Sequence, residues 1–459
     1  MATFFFCGVG GIGMSAIALY LKKSGHTVLG SDRAFDMEKN LLMKETLLSQ
    51  GIMLYPQDGT GVSKTVDMLV VSSAVEPSIL DVKKALDLGI KIQKRAEVLA
   101  DIFHTFKNKI AIAGTSGKTT VTAMTGHILY QTQFHPVMIN GGIGLNAYHN
   151  ESLSNLIFDT GDTCVIEADE SDGSIELYTP SVAVLTNVSL DHKPLEEIKP
   201  LFEAFLKRAK IGCVINKDCV ETKNLILPDS QIVSFSIEKD ASASLFAKDV
   251  RQTENGISFN LNGQNYVLPF IGVHNLANAL TAVAACMLLG VSKNEALMAL
   301  SSFKGTKRRL EKVGSVNEVT VIDDYAHNEE KIKASLSALK GMGKNLYIIY
   351  QPHGFAPLKL MKEGLTQMLK SELSENIHWL MLPVYYAGGT VQKTISSQDI
   401  VTPLIECQKN ACFFETRNEV ISYLTKNVNK GDVIAVMGAR DDTLSLFAKE
   451  ILNNMGEIK

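Results

Sequence analysis

The chain has 459 residues, a formal net charge of −4, and 46% hydrophobic against 20% charged residues. That composition is globular, with length for about three domains of ~150 residues each. The slightly acidic balance leaves no electrostatic footprint for nucleic acid, so an enzyme acting on anionic nucleotides has to focus positive charge locally. Seven cysteines, at positions 7, 164, 213, 219, 286, 407 and 412, form no C-x-x-C pair and no zinc spacing, as expected in a reducing compartment.

Residues 1–21 carry no charged side chain, but Gly8, Gly10, Gly11 and Gly13 interrupt them and no basic segment precedes them. A strand, a turn and a helix explain that stretch better than a signal or membrane segment. No other stretch is long and apolar enough to span a bilayer, and the cytosol is the expected location.

Residues 3–7 read as a strand, Gly8-Val9-Gly10-Gly11-Ile12-Gly13 as G-x-G-x-x-G, and residues 14–22, from Met14, as a helix. A second strand over 27–30 ends at Ser31-Asp32, about 20 positions beyond the glycines. This βαβ start suits a dinucleotide or a nucleotide sugar diphosphate, and the glycines also permit tight packing alone. Another buried strand, 68–71, has Ser72-Ser73-Ala74 at its C-terminal end, where open α/β sheets bind ligands. Arg95, in the segment 91–100, is either a ligand contact or a solvated charge at a helix start.

The short basic run Phe106-Lys107-Asn108-Lys109 marks a first boundary. The apolar strand 110–113 then runs into Gly114-Thr115-Ser116-Gly117-Lys118-Thr119-Thr120, and Val121-Thr122-Ala123-Met124 opens a helix. Strand, glycine loop, Lys-Thr and helix form a phosphate cradle. Backbone N–H groups and the helix N-terminus face the anion, Lys118 neutralises it, and Thr119 reaches a Mg²⁺. The general P-loop pattern wants glycine where this chain has Ile112. His127 and Tyr130, on the following helix, read as structural, and Asn140-Gly141-Gly142-Ile143-Gly144 as a second glycine turn facing phosphate or sugar.

The strand that begins at Cys164 ends in Glu167-Ala168-Asp169-Glu170-Ser171-Asp172. Such close carboxylates repel unless cations or donors compensate. With Glu167 and Asp169 on one strand face, the cluster is a candidate Mg²⁺ site, with a solvated acidic turn as the alternative. A strand over 181–186 leads to Asn187-Val188-Ser189-Leu190-Asp191-His192, and His192 beside Asp191 is a site candidate. Asn275 and Asn278 share one face of a helix over 275–289, where their amides suit an adenine edge or simply cap the helix. Lys307-Arg308-Arg309 is a basic cluster that meets phosphate or remains linker.

After Leu310 a third α/β pattern begins. Strands at 319–322, 346–350, 379–383 and 433–437 end respectively at Asp323-Asp324-Tyr325-Ala326-His327-Asn328, Gln351-Pro352-His353-Gly354, Val384-Tyr385-Tyr386-Ala387-Gly388-Gly389 and Gly438-Ala439-Arg440-Asp441-Asp442, and a helix is expected over 329–339. Polar tips on successive parallel strands define one ligand-facing edge.

Taken together and in order, these strings resemble the Mur ligase family, the ATP-dependent amide-bond ligases of peptidoglycan synthesis, along essentially the whole chain. The resemblance implies an α/β protein of three domains. These are a Rossmann-like UDP-sugar domain over 1–107, a central P-loop ATPase-like mixed sheet over 108–310, and a C-terminal Rossmann-like domain over 311–459 that brings the amino acid. It implies ATP and Mg²⁺ as cofactors, and amide-bond formation between the carboxylate of UDP-N-acetylmuramate and an amino acid, L-alanine first, through an acyl phosphate. Gly8, Gly10, Gly11, Gly13, Met14, Asp32, Ser72 and Arg95 would then face the UDP-sugar. Gly114 to Thr120, Asn275, Asn278, Arg308, Arg309 and Asp324 would face ATP. Lys118, Glu167 and His192 would be catalytic, with Thr119, Glu167 and His192 serving the metal, and His327, His353 and Tyr385 on the amino-acid side.

The family pattern for alanine addition is broken in a few places. Ser116 and Asn328 stand where histidine is usual, Glu329 where proline is usual, and Gly354-Phe355-Ala356-Pro357 where two arginines are usual. A recycling ligase for a recovered tripeptide is the nearest alternative, although it usually has a longer stretch after the acidic cluster. An NAD(P) oxidoreductase would rest on the first glycines alone, and the P-loop argues against it. Intact Lys118, Thr119, Glu167 and His192 argue against an inactive nucleotide binder. Oligomeric state is open at this level.

Overall fold

The computed structural model describes all residues except 73–74, 149–152, 190–193, 224, 228–230, 254–255, 387–392 and 457–459. Two units emerge, one of Met1–Pro269 with Asn275–Thr306, the other of Phe270–His274 with Lys307–Lys459.

The first unit holds two sheets. In the smaller, five parallel strands run in the order Met53–Tyr55, Thr27–Ser31, Thr3–Cys7, Met68–Val71, Lys91–Lys94. Adjacent residues of a strand point to opposite faces, and both faces are covered. Phe6 packs with Met14, Ile17 and Leu21 on one side, and Phe5 with Leu29, Val62 and Leu69 on the other. This two-sided burial is why the N-terminal stretch reads as uncharged. The strand order reverses beside Thr3–Cys7, so the crevice of this sheet lies where Cys7 and Val71 end side by side.

The larger sheet has ten strands and is mixed. At its centre Asn108–Ala113 lies between Val182–Leu185 and Thr163–Glu167, all three parallel. Antiparallel pairs close both ends, Leu245–Thr253, Gly256–Leu261 and Gln264–Leu268 on one and Val137–Ile139 with Leu156–Ile157 on the other. One continuous core joins the helix Ile12–Lys23 of the smaller sheet to Val137, Ile139, Leu156 and Phe202 of the larger. The position expected for the first boundary, near residue 107, therefore falls between two sheets of one unit.

The second unit carries six strands in the order Glu311–Val316, Val319–Asp324, Val433–Gly438, Leu346–Gln351, Ile377–Met381, Ala411–Phe413, parallel apart from the first pair. The last strand of the chain enters between the second and third, so its tip emerges between theirs. Ile348, Ala435 and Met437 pack on one face, and Ile349, Ile434 and Val436 on the other. The segment Phe270–His274 joins this unit although its neighbours on both sides belong to the first, a detour that no local sequence pattern announces.

Element limits differ from the sequence reading mainly at helix starts. The first helix begins at Ile12 rather than Met14, with Gly11 as its extended N-cap. The late helix of the first unit covers Val273–Met287 rather than 275–289, and the strand expected at 379–383 covers Ile377–Met381. The helix Glu329–Leu339 falls where expected, because Asn328 caps it by accepting from Lys331 N at 3.0 Å. Among the described residues no helix is long and apolar enough to cross a membrane.

His127 has the structural role expected of it. Its ring is buried, with Nδ1 3.0 Å from the Tyr148 hydroxyl and Nε2 2.9 Å from Ser302 Oγ. Burial pulls its pKa down to about 4 from the ordinary 6.5, and the nearby Ala299 carbonyl opposes this only in part. Between those values the unfolded chain binds a proton that the folded chain does not, so stability falls as pH drops from 6.5 towards 4, by at most about 3 kcal/mol from this group. Denaturant titrations across that window should show a shallower pH slope for His127→Gln than for the parent. An unchanged slope would remove His127 as a source of the acid sensitivity.

Candidate functional site

The phosphate loop leaves the central strand Asn108–Ala113 at Gly114 and enters the helix Lys118–Gln131 through Gly117. Gly117 has φ +88°, and a Cβ there would lie 2.5 Å from Asn278 Oδ1, so both backbone shape and space require glycine. Ile112 sits wholly buried inside the strand, and its carbonyl accepts from Ala168 N at 2.8 Å. The glycine of the general pattern is unnecessary there because the turn has not yet begun.

The loop is clamped by residues that follow the neighbouring strand Val182–Leu185. Ser116 N donates to Asn187 Oδ1 at 3.0 Å, and Ser116 O accepts from Asn187 Nδ2 at 3.0 Å and from Thr186 Oγ1 at 2.7 Å. Thr115 adds a reciprocal pair with the Ser189 backbone, at 3.2 and 3.0 Å. Ser116 Oγ is buried without a partner. Thr120, expected beside the nucleotide, is buried in the helix.

Lys118 Nζ donates to Gly114 O at 2.8 Å and to Glu170 Oε2 at 2.9 Å. Burial alone would lower its pKa, but the carboxylates of Glu170, Asp169 and Glu167 outweigh it and hold the ammonium charged. Thr119 Oγ1 donates to Glu167 Oε2 at 3.1 Å, and Gly141 N to Glu167 Oε1 at 2.8 Å. Asn140 Nδ2 donates to Thr119 O at 3.1 Å. Glu167 is thereby fixed against the first turn of the loop helix, and its carboxylate with the Thr119 hydroxyl makes a pair of hard oxygen donors of the kind Mg²⁺ takes.

Each remaining carboxylate of the acidic cluster has its own partner, which answers the repulsion expected from the sequence. The strand Thr163–Glu167 stops at Glu167, so Asp169 does not share a strand face with it. Asp169 Oδ1 instead accepts from Ser171 N and Oγ at 2.9 and 2.8 Å. Asp172 pairs with Arg95 at 3.4 Å and accepts from Ser174 N at 2.9 Å. Among the described residues no group of three or more His, Cys, Asp or Glu side chains is arranged to hold a metal ion. Asp191 and His192 lie outside the described residues, as do Ser73 and Ala74.

At the smaller sheet, Asp32 is committed to the glycine turn itself. Its Oδ2 accepts from Gly10 N at 2.8 Å and its Oδ1 from Ala34 N at 2.8 Å. A Cβ on Gly10 would lie 2.8 Å from both Asp32 Oδ2 and Phe35 Cζ. With both oxygens engaged, Asp32 shapes the turn and is not held ready for a ribose hydroxyl, as the dinucleotide reading requires. Gly8 N donates to Ser31 O at 2.8 Å, and Gly11 N to Gly8 O at 3.3 Å. Gly13 faces Arg95, whose Nη1 would lie 3.5 Å from a Cβ there. Met14 is buried in the core, and Ser72 follows the strand that ends beside Cys7.

A residue that sequence reading passed over ties the two turns together. Asn155 is wholly buried, its Nδ2 donates to Ile12 O at 2.9 Å and Ser15 Oγ at 3.0 Å, and its backbone carbonyl accepts from Asn140 N at 2.9 Å. Asn187, Asn140 and Glu170 stand in motif strings of the sequence, but their contacts do not follow from those strings. Their signal was a polar tip beside the loop strand. Asn155 offered none. Asn275 and Asn278 do share a helical face, but Asn278 Nδ2 donates to Asn275 Oδ1 at 3.1 Å, so this amide pair is joined to itself and set against Gly117.

In the second unit, Arg308 and Asp324 are interior groups. Arg308, at φ +58°, donates to Asp323 Oδ1 at 3.4 Å, to Asp441 O at 3.2 Å and to Gly438 O at 2.9 Å. Asp324 accepts from Leu310 N at 3.2 Å, Tyr325 N at 2.9 Å and the Ser335 hydroxyl, and burial pushes its pKa up. Both hold strand tips together within this unit, Arg308 joining Asp323, Gly438 and Asp441 and Asp324 joining Leu310, Tyr325 and Ser335. Arg309 remains partly exposed over the Tyr325 ring at 4.9 Å. His327 Nδ1 lies 2.8 Å from Tyr325 O, the His327 and His353 rings stand 5.2 Å apart, and Tyr385 is bridged to His353.

A phosphate-binding loop on a mixed sheet, coupled to a Rossmann-like glycine turn in one unit and followed by a further α/β unit, defines a nucleotide-binding α/β protein. Three family descriptions match in succession, "Mur ligase family, catalytic domain" over residues 3–107, "Mur ligase middle domain" over 112–286 and "Mur ligase, glutamate ligase domain" over 308–440. The UDP-N-acetylmuramate–L-alanine ligase of a Sulfurihydrogenibium species is 34% identical over 97% of both chains. Among solved structures, the UDP-N-acetylmuramate–alanine ligase of Thermotoga maritima superposes with a TM-score of 0.80 at 25% identity, covering 100% of both chains. A murein peptide ligase of Psychrobacter arcticus shares the fold, with a TM-score of 0.68 at 23% identity over 100% of both chains. The chain belongs to the Mur ligase family.

Lys118→Ala should reduce phosphate release from ATP by about 10³-fold or more. It also leaves the Glu170 carboxylate buried without its cation, a loss of about 3 kcal/mol in stability. Adding Glu170→Gln should recover the melting temperature and not the turnover. Turnover near the parent's in either variant would remove the loop from the reaction.

Proposed function

We propose that this chain is an ATP-dependent ligase that joins the carboxylate of UDP-N-acetylmuramate to the amine of L-alanine in peptidoglycan-precursor synthesis. One observation carries the reading. The phosphate loop and the glycine turn for the sugar nucleotide are tied together in a single unit by Asn140 and Asn155. A reaction between a γ-phosphate and a carboxylate on the sugar nucleotide needs both ligands held in one frame. The choice of substrates follows the relatives' names.

In the first step a carboxylate oxygen attacks the γ-phosphorus of ATP, the bond to the β-phosphate oxygen breaks, and ADP leaves an acyl phosphate behind. In the second, the neutral amine attacks the carbonyl carbon, the tetrahedral intermediate loses phosphate, and the nitrogen gives up a proton to form the amide. Lys118 neutralises the β- and γ-phosphates after exchanging Glu170 for them, and the loop N–H groups orient the chain of phosphates. Thr119 and Glu167, with His192, would hold Mg²⁺, which when bound supplies further charge neutralisation on the phosphate oxygens. Arg95 and the glycine turn serve the UDP-sugar, while His327, His353 and Tyr385 serve the amino acid. Working on free nucleotide substrates, the enzyme acts in the cytoplasm.

Phosphate release from ATP is expected only when UDP-N-acetylmuramate and an amine acceptor are both present. Among L-alanine, glycine, L-serine and L-alanine-containing peptides, L-alanine should give the highest kcat/KM. Release indifferent to any UDP-sugar would sink the ligase reading, and preference for a peptide would reassign the acceptor.

A further inference from the structure

The acceptor's carboxylate needs a cation, and the order of the six-stranded sheet limits which one can meet it. The register pairs Gln351 with Gly438 and Asp324 with Met437. The segments Pro352-His353, Ala439-Arg440 and Tyr325-Ala326-His327 therefore leave the sheet side by side. Arg440 N donates to the Tyr325 hydroxyl at 3.3 Å, the Tyr325 and His327 rings are 5.6 Å apart, and Gly354 N donates to Tyr385 O at 2.9 Å. These contacts gather Tyr325, His327, His353, Tyr385 and the Arg440 backbone at one corner of the sheet edge. His353 Nδ1 is buried there without a partner.

Most cations near this edge are committed, Arg309 to the face of the Tyr325 ring at 4.9 Å. Arg308 is used inside the unit, and Arg417 binds Asp441 at 2.8 Å and Gln351 at 3.1 Å. Lys393 lies over the Phe355 and Tyr386 rings at 5.8 and 5.7 Å, and Lys331 has contacts of its own. The two histidines do not supply charge at neutral pH. Burial and Lys331 bring His327 to about 4, and burial with the Arg440 and Lys331 charges lowers His353. Arg440 is exposed, and its guanidinium has no hydrogen bond or ion pair among the described residues. Its backbone holds φ +62°, a region that favours glycine, so an arginine is kept there against a local cost.

We propose that Arg440 is the specificity-determining residue for the acceptor, its guanidinium taking the carboxylate of an α-amino acid at the sheet-edge corner formed by Tyr325, His327, His353 and Tyr385. The planar fork of arginine bonds a carboxylate through two parallel N–H donors. A position after the last strand thus does what the segment at Gly354-Phe355, which has no cation, cannot do. This rests on the ligation proposed above.

The test compares L-alanine with L-alaninamide, which keeps the amine and lacks the carboxylate, using the full chain with ATP and UDP-N-acetylmuramate. Arg440→Gly also relieves the positive φ, so folding is not at risk. In that variant the KM for L-alanine should rise about 10- to 100-fold, with the KM values for ATP and UDP-N-acetylmuramate unchanged and the preference over L-alaninamide lost. Arg440→Lys should recover part of the preference, and Lys393→Gln should leave it intact. A parent-like preference in Arg440→Gly, or its loss in Lys393→Gln instead, would overturn the assignment. A parent enzyme that ligates no acceptor at all would overturn the ligase reading itself.

Discussion

The ion pair between Lys118 and Glu170 is the interaction on which the phosphate site depends. Its side chains are only 14% and 8% exposed, and an unpaired charge at that depth would cost several kcal/mol. Glu170 therefore keeps Lys118 charged and aimed across the loop in the absence of phosphate. The Gly114 carbonyl fixes the other side of the ammonium. A phosphate entering this loop competes with a carboxylate already in place. The cation's charge and position are prepared in advance, and binding becomes an exchange of one anion for another with little change in the charge of the site.

The strand ladder makes that exchange local. Because Asn108–Ala113 lies between Thr163–Glu167 and Val182–Leu185, the tips of three parallel strands converge on one loop. One neighbour delivers Glu167 and Glu170. The other delivers Thr186 and Asn187, which hold the Ser116 backbone through three hydrogen bonds, and Ser189, whose backbone makes two with the Thr115 hydroxyl. A similar arrangement occurs in the six-stranded sheet, where Asp324 ends against Met437 and Gln351 against Gly438. In both units the chemistry sits at the C-terminal edge, since polar tips have nowhere else to go once both sheet faces are buried.

The parts of this structure that were legible in the sequence are those encoded by near neighbours. The strand, glycine turn and helix around Gly114 to Thr120, and the helix Glu329–Leu339, follow from spacing and local hydrogen bonding. Partner choice over long separations was not legible. Asp32 looks like a ribose ligand by its distance from the glycines, yet the fold turns both its oxygens onto the turn. Arg308 and Arg309 are adjacent, chemically identical and both over the Tyr325 ring, but Arg308 alone is buried and bonded to Gly438 O and Asp441 O. Asn155 carries no motif, and its value appears only when Ile12 and Asn140 are brought to it. The segment Phe270–His274 likewise joins the second unit for reasons of packing that its own residues do not state.

A chain with a net charge of −4 that handles triphosphate must also decide where its positive charge is available. Much of it is spent internally. Arg95 is paired with Asp172, Arg308 with Asp323, Arg417 with Asp441, and Lys118 with Glu170. Each pair organises a strand tip or a turn, and together they leave the phosphate loop with one lysine and its backbone N–H groups. A lysine, a loop of amides and a helix N-terminus fall short of the four charges of a nucleoside triphosphate. The Thr119 hydroxyl and the Glu167 carboxylate meet at the same helix start, a pair of hard oxygen atoms beside the loop. On this argument the acidic cluster is no anomaly beside a phosphate site. Its carboxylates are spent on fixing the site, Glu170 on the Lys118 ammonium and Glu167 on the Thr119 hydroxyl and the Gly141 N–H.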